Sequence, residues 1–144
     1  VHYLHLNNPE KAQKATRMAL KIDPRAIEPL LNLGIAEFRL EQFADAETTF
    51  RKALAIRKDS AVAHSYLGRI LTKLGKYDEA ETELNAAIKL GGSMMNEGHR
   101  MLANLFLTKG DNQRAVAELR TYLKLVPNAP DANKLREIIA ELEP

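Results

Sequence analysis

The sequence predicts an all-α solenoid of antiparallel helix pairs, closed at its C-terminal end by a single capping helix. Three observations carry that expectation. One side-chain pattern recurs at intervals of 34 or 35 residues, and each interval holds two stretches with helical spacing. Residues 132–142 then form one more amphipathic stretch that lacks the recurring signature.

The repeat shows first in Leu33-Gly34, which returns as Leu67-Gly68 and then as Leu102-Ala103. Alanine holds a second slot throughout, at Ala12, Ala46, Ala80 and Ala115. A third slot reads Ala19, Ala53, Ala87 and then Tyr122, with Leu20, Leu54, Ile88 and Leu123 behind it. So many coincidences at one period define a stack of like units, each of which buries its apolar face only against its neighbours. Within a unit, 61–74 carries Ala63, Leu67, Ile70, Leu71 and Leu74 at three-and-four spacing. Gly75-Lys76 interrupts that pattern, and 77–90 resumes it with Ala80, Leu84, Ala87 and Ile88. Gly110 marks the same turn one unit later, and Glu41 stands in its place one unit earlier. Small residues belong where two helices cross closely, and large ones fill the spaces between. Asp59-Ser60 and Asp111 are placed to cap the helices that follow them, and Pro29 falls in a first turn where its missing N–H costs nothing. Gly91-Gly92-Ser93 marks the one-residue insertion that lengthens the last interval.

Composition narrows the function. Hydrophobic residues make up 45% and charged residues 28%, as in ordinary folded domains, and no apolar run approaches the roughly 20 residues that span a bilayer. Membrane insertion is not expected. Twenty-one basic residues face 19 acidic ones, interspersed rather than gathered into a block, so a nucleic-acid partner is not expected either. The absence of cysteine removes disulfides and thiolate chemistry while leaving cytoplasm and periplasm equally open.

These residues resemble the tetratricopeptide repeat family, whose 34-residue unit places Trp, Leu-Gly, Tyr, Ala, Phe and Pro at fixed offsets. The resemblance implies a right-handed superhelix with a partial unit at 1–26, full units at 27–60, 61–94 and 95–129, and a capping helix at 130–144. Its large slots are filled by Leu30, His64 and His99 in place of Trp, and by Tyr3, Glu37, Leu71 and Phe106 in place of Tyr. Glu37 is the clearest departure, a carboxylate at a normally buried position. In this register the first helix is short, so we expect a domain excised from a longer, bacterial chain. Residues 132–142 present Ala132, Leu135, Ile138, Ile139 and Leu142 on one stripe, with Tyr122 as the expected contact beneath.

Catalytic and metal-binding constellations are not expected. His2 and His5 share a face without an accompanying acid, while His64 and His99 occupy one packing slot and read as buried rings with a satisfied nitrogen. Gly91-Gly92-Ser93 lacks the lysine and preceding strand of a phosphate loop, and Ser and Thr residues lack a His–acid arrangement. No cofactor is expected.

In the family the first helix of each unit lines a groove, and the resemblance nominates its residues. The second unit supplies Leu31, Asn32, Ile35, Phe38 and Arg39; the third, Tyr66, Arg69 and Lys73; the fourth, Arg100 and Asn104. Some members grip a C-terminal carboxylate with a basic clamp. Leu31, Ile35, Val62 and Tyr66 stand where its charged and amide groups belong, so that clamp is not expected here. What remains is an apolar end and a basic, aromatic middle, suited to a protein or peptide segment with apolar and acidic residues. The competing reading is that upstream residues cover Leu31 and Ile35 as ordinary core. Two alternatives to groove binding stand beside it: self-association, including a homodimer through the N-terminal edge, and service as a non-catalytic domain of a larger enzyme, sensor or secreted protein.

Overall fold

The computed structural model describes residues 8–143. Eight α-helices follow in order among them: α1 (Pro9–Ile22), α2 (Ile27–Arg39), α3 (Phe43–Ile56), α4 (Ala61–Lys73), α5 (Tyr77–Gly91), α6 (Glu97–Lys109), α7 (Asn112–Leu125) and α8 (Ala132–Leu142). A 3-10 turn, Gly92–Met95, accommodates the inserted residue between α5 and α6. Each helix packs on the next, so α2/α3, α4/α5 and α6/α7 form hairpins; α1 leans on α2 and α8 on α7. Successive first helices also touch, α2 with α4 and α4 with α6, which stacks the hairpins into a solenoid. The expectations attached to His2, Tyr3, Leu4, His5 and Leu6 lie outside the described residues.

Local chemistry sets the helix limits. The Asn8, Ser60 and Asp111 side chains each accept a hydrogen bond from the backbone N–H three residues on, at 3.1 Å in every case. The turns inside two hairpins need a left-handed residue, and Gly75 (φ 78°) and Gly110 (φ 82°) supply it. Glu41 adopts the same conformation (φ 59°) in the α2–α3 turn, although its Cβ disfavours it.

Two hairpins cross on glycine. A Cβ added to Gly34 would lie 2.7 Å from the Phe50 ring, and one added to Gly68 would lie 2.6 Å from Leu84 Cγ. Phe50, Leu67, Leu71, Leu84, Leu105 and Phe106 form one continuous core through the middle of the stack. A second cluster joins Ala103, Val116, Leu119 and Tyr122 to Ala132, Leu135 and Ile139 of α8, with Ile138 and Leu142 packed at its margin. Tyr122 therefore meets the capping helix as its enlarged slot predicts.

The departures from the repeat pattern are satisfied by polar partners. Glu37 is buried, yet it accepts a 2.5 Å hydrogen bond from Thr49 Oγ1, and Arg17 lies 3.6 Å away. His64 Nδ1 pairs with Glu83 at 2.5 Å, and His99 Nδ1 with Glu118 at 2.8 Å, the same partnership one unit apart. Both imidazoles are packing residues with an occupied nitrogen. Ion pairs Arg51–Glu79, Lys76–Glu47, Lys109–Glu81 and Arg114–Glu81 link successive units along the second helices and the turns before them, a surface network of modest energetic weight.

Candidate peptide-binding groove

The first helices α2, α4 and α6 lie side by side, so residues at equal slots form rows across three helices. One row is Ile35, Arg69 and Asn104; another is Asn32, Tyr66 and Met101; a third is Arg39, Lys73 and Thr108. Between α4 and α6 this face dips into an open depression of about 460 Å³. Arg69, Thr72 and Lys73 stand on one wall, Met101, Asn104 and Thr108 on the other, and Leu84 of α5 reaches the floor.

Toward α2 the surface turns apolar and aromatic. Leu31, Ile35 and Phe38 are half-buried and pack on the core while keeping part of their surface exposed. The Phe38 ring meets Phe43 (5.7 Å between centroids) and Tyr66 (5.5 Å) edge-on, and Tyr66 stacks on Phe50 at 5.4 Å. The Arg69 guanidinium sits 4.7 Å above Phe38 and 5.5 Å above Tyr66. This cation–π seat fixes the charge over the junction of α2 and α4 without neutralising it.

Charge on this face is unevenly spent. Arg69 and Lys73 have no acidic partner among the described residues. Asn32 is 8% exposed, and its side-chain amide has no hydrogen-bond partner among the described residues. Among the described residues no fully enclosed side-chain polar atom lacks a partner, so that amide keeps some exposed surface. Arg39 ends α2 and is exposed.

Arg100 differs from its neighbours. Its guanidinium grips Asp131 at the entrance to α8 through both nitrogens and lies 5.8 Å above the Tyr122 ring. Tyr122 in turn donates a 2.7 Å hydrogen bond to Glu97. Burial works to lower the Arg100 pKa, but hydrogen bonds with Tyr122 and Asp131 and the Asp131 and Glu97 charges together raise it above its ordinary value. The structure therefore brings Leu31, Asn32, Ile35, Phe38, Tyr66, Arg69, Lys73 and Asn104 to one surface, with Arg100 already committed to an internal carboxylate. Sequence reasoning did not reach Leu84 as part of the floor, or Asp131 as the partner of Arg100. The repeat register placed Leu84 in the core, and Asp131 lies beyond the last full unit.

Stacked helical hairpins with a shallow, mixed-polarity face define a protein-interaction scaffold. Models of the tetratricopeptide repeat match residues 25–91, 67–130 and 100–141, and the chain belongs to that family. Over 88 residues, 61% of this chain, it is 36% identical to the cilia- and flagella-associated protein 70 of Homo sapiens. That stretch is 8% of the human protein's length. The fold matches PilF of Pseudomonas aeruginosa with a TM-score of 0.84 and 25% identity, covering 97% of this chain and 62% of that one. It also matches SycD, a type III secretion chaperone of Yersinia enterocolitica solved with a peptide of the translocator YopD. There the TM-score is 0.69 at 19% identity, covering 80% of this chain and 87% of SycD. Chains of this repeat class are generally non-catalytic scaffolds. Among the described residues, no helix is long and apolar enough to cross a membrane.

Proposed function

We propose that the face of α2, α4 and α6 holds a peptide or protein segment that carries both apolar and acidic residues. The observation that carries this reading is the juxtaposition of half-exposed Leu31, Ile35 and Phe38 with the unpaired cations Arg69 and Lys73 beside an open depression. The apolar side chains supply desolvation, the cations favour carboxylates, and the Asn32 and Asn104 amides offer hydrogen bonds to a bound backbone. The peptide held by SycD supports the reading by analogy of fold alone. The chain is read as one array of 27–60, 61–94 and 95–129, with 1–26 and 130–144 as its ends.

Burying three apolar side chains gains roughly 5–9 kcal/mol, and association costs about 4–15 kcal/mol. The apolar surplus is at most about 5 kcal/mol, a Kd on the order of 0.1 mM or weaker. A micromolar complex therefore needs about 3 kcal/mol more from the Arg69 and Lys73 charges, which makes it salt-sensitive. The test takes a segment recovered by pull-down and measures its affinity by calorimetry for the wild type, Phe38→Ala and Arg69→Glu, with melting curves to verify folding. Loss of binding in both variants supports the groove. Unchanged affinity in both, with loss on substitution of Glu81 or Arg114 on the second helices, moves the interface to the opposite face.

One observation favours a second reading. On α1, Met18 is 60% exposed and Ile22 is 88% exposed, so this end of the stack presents apolar surface that a second copy would cover. Sedimentation analysis over a concentration series checks the homodimer; a constant monomer mass at high concentration rejects it.

A further inference from the structure

A cleft between α1 and α3, on the face away from the proposed groove, differs in charge from its later copies. Two adjoining depressions of about 370 and 380 Å³ share Pro24, Leu30 and Lys52. Leu30 and Leu33 of α2 give them an apolar floor. Arg17, Lys21, Arg25 and Lys52 stand around it.

The repeat supplies the comparison. In the copy between α3 and α5, the Leu30 slot becomes His64 and the Thr49 slot becomes Glu83, and those two side chains pair at 2.5 Å. The Arg17 slot becomes Arg51, which is held by Glu47 at 2.9 Å and Glu79 at 3.0 Å. In the first cleft, Gln13 stands where Glu47 does and Thr49 stands where Glu83 and Glu118 do. Two carboxylates are thus missing from the walls, Arg17 is kept as Arg51, and three cations are gained, since the Lys21, Arg25 and Lys52 slots read Ala55, Asp59 and Ala86 one unit later. Among the described residues, Lys21, Arg25 and Lys52 have no ion pair, and Arg17 has only Glu37, 3.6 Å away and buried beneath the surface.

From this deficit we infer a second interaction surface, independent of the groove on α2, α4 and α6. Its occupant is a segment of another protein in which carboxylates flank an aliphatic or aromatic side chain. The apolar anchor lies on Leu30 and Leu33 while the carboxylates take the place of the two that the later clefts carry. Charge complementarity alone would attract any polyanion; the apolar floor selects a segment with both features.

The experiment uses the ¹⁵N-labelled full chain and three synthetic peptides: one alternating Glu and Leu, one all-Glu, and one alternating Gln and Leu. Amide shift changes on titration map the site, and Lys21→Glu/Lys52→Glu tests it; both side chains are exposed, and melting verifies the fold. The Glu–Leu peptide is expected to move amides of Leu20, Lys21, Arg25 and Lys52, with about tenfold weaker binding to the double variant. Gln13→Glu, which restores the acid of the later cleft, is expected to weaken binding in the same direction, and Arg69→Glu to leave it unchanged. Equal binding of the all-Glu or Gln–Leu peptide overturns the proposal, as do shifts confined to α4 and α6 or unchanged affinity in the double variant. Preferential binding to phosphatidylserine vesicles through the same lysines also overturns it, in favour of a membrane surface.

Discussion

Replacing Leu135 and Ile139 together by alanine removes the two large side chains that α8 buries, at 6% and 9% exposure, against Val116, Leu119 and Tyr122. A Leu or Ile to Ala change in a core costs about 2–5 kcal/mol. Both sites lie at the end of the stack, where the surroundings relax more easily, so each change is expected near the low end of that range. The pair share one cluster and one helix face, so their sum is not strictly additive. A total of about 4–6 kcal/mol is expected, set against a domain stability of about 5–15 kcal/mol. The loss should also be local, because hairpins in a solenoid are stabilised by nearest neighbours. Urea unfolding followed by circular dichroism gives the magnitude, and amide hydrogen exchange gives the place. Protection should fall across α6, α7 and α8 and persist across α2 to α5. The exposed pair Lys134→Ala/Glu137→Ala is the control, expected within about 0.5 kcal/mol of wild type. A double core variant that loses less than about 1 kcal/mol refutes the capping role of α8. Uniform loss of protection along the chain refutes the nearest-neighbour account.

Glu41→Gly relieves a left-handed strain of about 1–2 kcal/mol and gives back about 0.5–1 kcal/mol of chain entropy. A net rise in stability of about 0.5–1 kcal/mol should appear in thermal melts. Gly68→Ala drives a Cβ to within 2.6 Å of the fully buried Leu84 side chain. An overpacking cost of about 1–3 kcal/mol is set against about 1 kcal/mol of helix propensity, for a net loss near 1 kcal/mol by urea unfolding. Burial holds the Glu37 carboxyl above its ordinary range, opposed by the Thr49 hydrogen bond and by the Arg17 and Lys52 charges and assisted by Asp45. The folded chain thus retains a proton that the unfolded chain has released, and stability should fall as pH rises from the usual carboxylate range. Glu37→Gln should lose that slope, which unfolding free energies measured between pH 4 and pH 7 (roughly the span over which a carboxylate with raised pKa titrates) would show; parallel profiles refute it.

The sequence by itself determined the repeating architecture, the helix positions and the chemistry of their ends. Leu33-Gly34, Leu67-Gly68 and the slot of Ala12, Ala46, Ala80 and Ala115 specify close crossings because a small residue lets a large side chain of the paired helix press against the backbone, as Phe50 does on Gly34. A period of 34 makes each such constraint visible several times. Tyr122 against α8 was legible for the same reason: an alanine slot that suddenly enlarges needs a new partner. The face on α2, α4 and α6 was legible as a set of rows, since register alone decides which residues share a helix face. Tertiary structure alone decided how the polar side chains were shared among those rows. Arg69 settles on Phe38 and Tyr66 while Arg100 is claimed by Asp131, although both are arginines on the same kind of helix. Glu37 survives burial because Thr49 happens to replace the acid found in the later units. Long charged side chains have several rotamers within reach of more than one partner, and their choice depends on which carboxylates arrive from other hairpins. Helix periodicity carries no record of that choice; only the packed arrangement of the hairpins does.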